Sequence, residues 1–161
     1  METGSTFDGM DTATKLVLVG GAVTIVAAFL PWISIELGPF SESVSGIDGD
    51  DGLLTLILAA VAMAVAYVRE WSALTAGGVV VLGGLAALLG LLYISDPLMG
   101  ADMSDAEREM AGSIASPEIG LYVTVLGGLI VAAGGVTGYQ NRSTAESTGA
   151  AVEATSSEAD N

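Results

Sequence analysis

The chain has 161 residues, room for one domain, and 52% of them are hydrophobic against 14% charged. Nineteen Asp and Glu stand against four Lys and Arg, a net charge of −15, so no basic patch able to engage nucleic acid directly can be assembled. Cys and His are both absent, which excludes disulfides, thiolate metal sites and the commonest general base together.

The apolar residues lie in four blocks separated by acid-rich segments, the pattern of bilayer spans and not of amphipathic stripes. Residues 1–14 are polar and acidic and read as a disordered N-terminal tail; Lys15 is the only cation near them, so they do not resemble a signal-peptide leader. The first span is predicted over about 16–35, twenty residues or ~30 Å of helix, with Pro31 ending or kinking its last turn and Trp32 at the interface. No small-residue cleavage site follows it, so it reads as a permanent anchor. Residues 36–52 form an acidic loop. Its D48-G-D-D-G52 stretch invites a calcium reading but fails the EF-hand register, because Gly52 stands at the fifth ligand position and Ala59 at the twelfth. It reads instead as a solvated turn, with Asp50 or Asp51 capping the next helix.

The second span is predicted over 53–68. The tight turn Arg69-Glu70-Trp71 leads into a third over 71–94, which makes these two helices antiparallel neighbours. In the second loop, 95–118, Ser104 followed by Glu107 fits a capping box and predicts a short surface helix. The fourth span is predicted over 119–139, and the low-complexity stretch 143–161 reads as a disordered acidic tail. The expected fold is all-α: a polytopic membrane protein whose domain, 15–142, holds four transmembrane helices in an antiparallel bundle with disordered termini. Lys15, Arg69 and Arg142 then share one face, opposite Arg108, and the positive-inside rule places that face and both termini in the cytoplasm. Eleven of the nineteen acids fall in the two outer loops and make that face anionic. Trp32, Tyr93 and Tyr122 at outer ends, with Tyr67, Trp71 and Tyr139 at inner ends, form aromatic belts.

Small residues recur at seven-residue spacing in every span: Gly20 and Ala27; Ala59 and Ala66; Ala76, Gly83 and Gly90; Gly120, Gly127 and Gly134. Gly21 with Ala28 and Gly77 with Gly84 repeat that spacing, and Gly128 and Gly135 stand beside the fourth set. Such a period keeps one seam facing a neighbour, and Gly134-x-x-x-Gly138 adds a close-approach motif. These are the candidate helix-packing residues; one seam could also drive homo-oligomerisation or pack on another membrane protein. Within the predicted spans there is no ionisable side chain of the kind that proton relays and ion-coupled transport rest on. Their threonines are expected to bond the preceding turn of their own helix. With no nucleophile motif, no histidine and no phosphate-cradling loop, nothing points to catalysis, a cofactor, a metal or a small-molecule substrate; the bilayer is the expected partner.

The acid excess with almost no lysine is similar to that of haloarchaeal proteins, whose carboxylates hold water while molar salt screens their repulsion. L-P-W-I-S after the first span, G-I-D-G-D-D-G-L-L-T-L into the second and P-E-I-G-L-Y-V-T-V-L-G-G into the fourth resemble small four-span haloarchaeal membrane proteins. That group includes the internal, matrix-like membrane protein of the pleolipoviruses, pleomorphic haloarchaeal viruses whose virion is a lipid vesicle. The resemblance spans Leu16 to Tyr139; small size, four spans and the absence of charged intramembrane residues, His and Cys point to a structural membrane protein, while the glycine seams suit the alternative of an accessory subunit of a transporter or channel. The resemblance implies no functional residues.

Overall fold

The computed structural model describes residues 9–68, 70–99 and 101–159; residues 1–8 of the predicted tail, and Arg69 of the predicted tight turn, lie outside them. Among the described residues the chain forms five helices and a small sheet: α1 Thr12–Phe29, β1 Pro31–Leu37, β2 Phe40–Ser45, α2 Asp50–Val68, α3 Ala73–Ser95, α4 Asp105–Gly112, β3 Ala115–Pro117 and α5 Ile119–Ala159. A 3₁₀ turn, Gly46–Asp48, links β2 to α2.

Helices α1, α2, α3 and the first thirty residues of α5 are each long and apolar enough to cross a bilayer, the mark of a multi-pass membrane protein. α5 packs extensively on both α1 and α3, while α2 touches α1 and α3 and barely meets α5. The order around the bundle is therefore α1–α2–α3–α5. The start of α1, the α2–α3 link and the middle of α5 gather at one end; the loops and the sheet gather at the other.

The interior inverts that of a water-soluble bundle. Its buried members are mostly alanine, glycine and threonine, around Val17, Val79 and Val131, while Val26, Ile57, Val81, Leu85, Leu126 and Leu129 point outward. In lipid, burying leucine gains little over leaving it exposed, so association rests on close packing of small residues. Thr24, Thr124 and Thr137 donate their hydroxyls to Gly20, Gly120 and Ala133 four residues back, and Thr55 to Gly52 three back, at 2.8–2.9 Å.

Four expectations are corrected. First, the fold is not all-α: the first span ends at Phe29, and the chain that follows forms a sheet in the order β2-β1-β3. Pro31 lacks the N–H that a longer helix would need. Beyond it Ile33 and Ile35 alternate with Ser34 and Glu36, a two-residue period that suits a strand. β1 and β2 close a hairpin on Gly38-Pro39, with Gly38 at φ +62°, the left-handed position that tight hairpin turns give to glycine.

Second, α1 begins at Thr12 and not near Leu16. Asp11 caps it by accepting the backbone N–H of Thr14 at 2.9 Å, which brings Lys15 into the first turns of the helix. Third, neither Asp50 nor Asp51 is the cap of α2. Both lie in its first turn, where their charge meets the positive end of the helix dipole. Fourth, the backbone of α5 stays helical past Arg142 to Ala159, across most of the stretch expected to be disordered. Extending an existing helix avoids the cost of nucleation, and the i,i+4 pair Arg142–Glu146 at 2.6 Å supports the extension.

Candidate functional site

The small-residue seams lie mostly between the helices of the bundle. α5 carries glycine doublets, and consecutive helical positions point about 100° apart. Gly127 and Gly134 face α1, while Gly128 and Gly135 face α3. A methyl carbon placed on Gly20 would stand 2.7 Å from the Val131 N, and one on Gly127 would meet the Thr24 hydroxyl and stand 2.8 Å from the Thr24 N. Gly83 and Gly128 oppose each other in the same way across α3 and α5: a methyl carbon on Gly83 would stand 2.6 Å from the Gly128 O, and one on Gly128 2.7 Å from the Gly83 O. In both pairs the obstacle is backbone, which cannot swing aside.

The remaining predicted packing residues fall into five groups. Ala76 and Gly90 line the α3–α5 contact, Gly90 against Val125 and the Leu121 O. Ala27 is fully buried, and Ala59 and Ala66 on α2 are nearly so, with the Ala59 O beneath Gly21 of α1. Gly120 faces the Pro31 O, the Trp32 ring and the Leu30 O just past α1, so it belongs to the junction with the sheet. Gly138 lies against the ring of Trp71, and Gly77 and Gly84 have nothing within 4 Å.

At the bundle end that holds the α2–α3 link, Trp71 donates its indole N–H to the Asp11 carboxylate at 3.3 Å and to the Thr14 hydroxyl at 3.2 Å. This fastens the α2–α3 link to the start of α1. Partial burial pushes the Asp11 carboxyl up, but hydrogen bonds from Thr14, Trp71 and the Ala13 N–H outweigh it and hold the carboxyl below its ordinary value of 3.8. A depressed folded-state value means that the contribution is fully present above the ordinary carboxylate range and is lost as pH falls through the depressed value. Asp11 is exposed, so solvent screening limits the effect to under about 1 kcal/mol. On acid titration the Trp71 emission is expected to shift in the native chain and to stay flat in Asp11→Asn.

The opposite end is a folded cap. β1 takes β2 on one side and β3 on the other, so the two large loops are hydrogen-bonded into one sheet. Both edges are guarded, β2 by Glu42 and β3 by its three-residue length and Pro117. A register shift between Pro31 and Ile33 bends β1 at Trp32. Trp32 is 4% exposed, with its ring against Gly46, Gly120 and Tyr93 and its N–H donated to the Ala27 O at 3.0 Å. Tyr93 is also buried, and its hydroxyl donates to Asp51. Trp32 and Tyr93 are thus cap core and not members of an interfacial belt; Tyr122, Tyr67 and Tyr139 are exposed.

Polar contacts finish the cap. Ser104 and Glu107 form the predicted capping box of α4, and Ser45 with Asp48 forms another on the 3₁₀ turn. Hydrogen bonds from these serines hold both carboxyls below their ordinary values. Arg108 bonds the Asp96 carboxylate at 3.1 Å and the Leu98 carbonyl at 2.8 Å, pinning α4 to the end of α3. No family model, curated protein or solved structure matches this chain.

Proposed function

We propose that this chain is a non-enzymatic structural membrane protein: a matrix-like envelope component of a vesicular haloarchaeal virus, or its cellular relative. The observation that carries this reading is the grip on α5. Glycine-to-backbone contacts clasp it between α1 and α3 from Gly127 to Gly135, and the large apolar side chains are turned outward to lipid. A bundle filled by backbone and small side chains is built to keep its shape in a bilayer. The sheet supports the same reading, since it ties the outer loops into one acidic lid over the bundle. The acid excess and the resemblance in three segments support the haloarchaeal setting.

Mass spectrometry of purified vesicles or virions from the source tests this. A structural component is expected at high copy number, in fixed proportion to lipid. Trace abundance, or co-purification with a transporter, would sink the proposal. In this reading both termini lie on the cytoplasmic or virion-interior side and the cap lies outside. Ser41 and Ser147 are both exposed, and the chain has no cysteine of its own. Ser41→Cys is therefore expected to label from outside intact cells and Ser147→Cys only after permeabilisation; the reverse pattern would overturn the orientation.

A second reading, an accessory subunit of a membrane transporter or channel or a homo-oligomer, is favoured by one observation. Gly77, Gly78 and Gly84 leave a shallow strip on α3 with no neighbouring atom within 4 Å. Cross-linking in native membranes that captured a stoichiometric second protein along α3 would favour this reading over the first.

A further inference from the structure

Between the hairpin, the start of α2, the end of α3 and the segment after Asp96, the cap holds a half-open cavity of about 350 Å³. Ile33, Val44, Leu98 and Met99 form apolar walls, and Trp32 and Tyr93 form an aromatic corner, with ring centroids 5.9 Å apart and planes tilted by 59°. The charged groups lining it are the carboxylates of Asp50 and Asp51. Asp51 accepts the Tyr93 hydroxyl, and among the described residues neither acid is paired with a protein cation: the ion pairs are Arg108–Asp96 and Arg142–Glu146. The start of α2 contributes roughly half a positive charge, well short of two carboxylates.

From this geometry we propose that the cavity binds a small, water-soluble alkylammonium ion. Its charged nitrogen lies toward Asp50 and Asp51, and its carbon groups lie against Trp32, Tyr93 and the apolar walls. Each alternative occupant meets a physical obstacle. An anion meets two carboxylates. A hydrated metal ion would leave the apolar walls facing its water shell. A two-chain lipid cannot enter it whole, since the volume lies near the low end of the roughly 300–1,000 Å³ of small-molecule sites. An organic cation satisfies both surfaces: carboxylates supply the counter-charge, and aromatic rings attract a weakly hydrated cation. Arg108 supports the site from outside, because its bonds to Asp96 and the Leu98 carbonyl hold one wall in place.

The test uses the full chain in detergent micelles, with butyltrimethylammonium as the probe and a neutral alcohol of the same shape as its control. Calorimetry on the unaltered chain is paired with fluorescence of Trp71→Phe, in which Trp32 is the remaining tryptophan. The ammonium is expected to bind saturably, to change Trp32 emission, and to bind at least about ten-fold more tightly than the alcohol. Asp50→Asn, which removes a carboxylate with no bond to the protein among the described residues, is expected to weaken it about ten-fold with helix content unchanged. Asp51→Asn should weaken it too; Asp50→Asn keeps the test decisive if losing the Tyr93 bond unfolds the cap. Absence of saturable binding, equal affinity for the neutral alcohol, or unchanged affinity in Asp50→Asn would overturn the proposal. So would displacement of the probe by micelles carrying an amine-headed lipid and not by excess soluble alkylammonium.

Discussion

Gly127→Ala is expected to destabilise the bundle, and Gly77→Ala is expected to stabilise it. The two substitutions add the same methyl group to the same residue type in spanning helices. By propensity alone each should gain up to about 1 kcal/mol, because alanine loses less freedom in a helix than glycine. At Gly77 nothing lies within 4 Å, so that gain is uncontested. At Gly127 the new carbon would meet the Thr24 hydroxyl and stand 2.8 Å from the Thr24 N and 3.0 Å from the Gly20 O. Relief requires α1 and α5 to separate, and overpacking of this kind costs about 1–3 kcal/mol, more than propensity returns. Gly83→Ala belongs with Gly127, since its new carbon would stand 2.6 Å from both the Ala132 N and the Gly128 O. Valine at either position should prevent assembly. Unfolding in a graded detergent series measures the effect, and destabilisation of similar size at Gly77 and Gly127 would contradict the packing described.

The same contrast marks how far the sequence could be read. The seven-residue recurrence is visible without coordinates, and so are the four spans, because a bilayer demands long apolar runs that few other structures need. Recurrence cannot say what lies opposite. Gly77 and Gly84 keep the same spacing as Ala76 and Gly83, yet the first pair faces open space and the second faces α5. Facing depends on where the neighbouring helices stand, and that is tertiary information. The doublets of α5 add a second ambiguity, since two seams of equal period run side by side and only the third dimension assigns one to α1 and the other to α3.

The cap was legible in part. The Ser104–Glu107 box is a local motif and could be read directly. The hairpin had its own local signals, alternation after Pro31 and a Gly-Pro turn, but they adjoin an apolar run that reads as one continuous helix. β3 has three residues and no pattern of its own; it is a strand because β1 offers it hydrogen-bonding partners. Trp32 illustrates the cost of reading by position. A tryptophan at the end of a span suggests an interfacial anchor, and only the bend in β1 and the space left by Gly46 and Gly120 turn it inward.

Trp32→Ala is expected to unfold the cap and leave the bundle standing. The buried indole fills the space between Gly46, Gly120 and Tyr93, and such truncations cost about 3–5 kcal/mol. The Ala27 carbonyl would also lose the indole N–H, its side-chain partner, at the last turn of α1. The loss should stay local, because the packing of Val17, Ala62, Ala66, Val79 and Val131 deep in the bundle is a separate cluster that does not include Trp32. Limited proteolysis should then cut within 36–48 and 101–114 in the variant and spare both stretches in the native chain, with helical circular dichroism nearly unchanged. Trp32→Phe, which keeps a ring but not the N–H, should fall between them. Collapse of the whole helical signal in Trp32→Ala would instead mean that sheet and bundle fold as one unit, with the loop pairing holding α1 and α5 together as firmly as their glycines do.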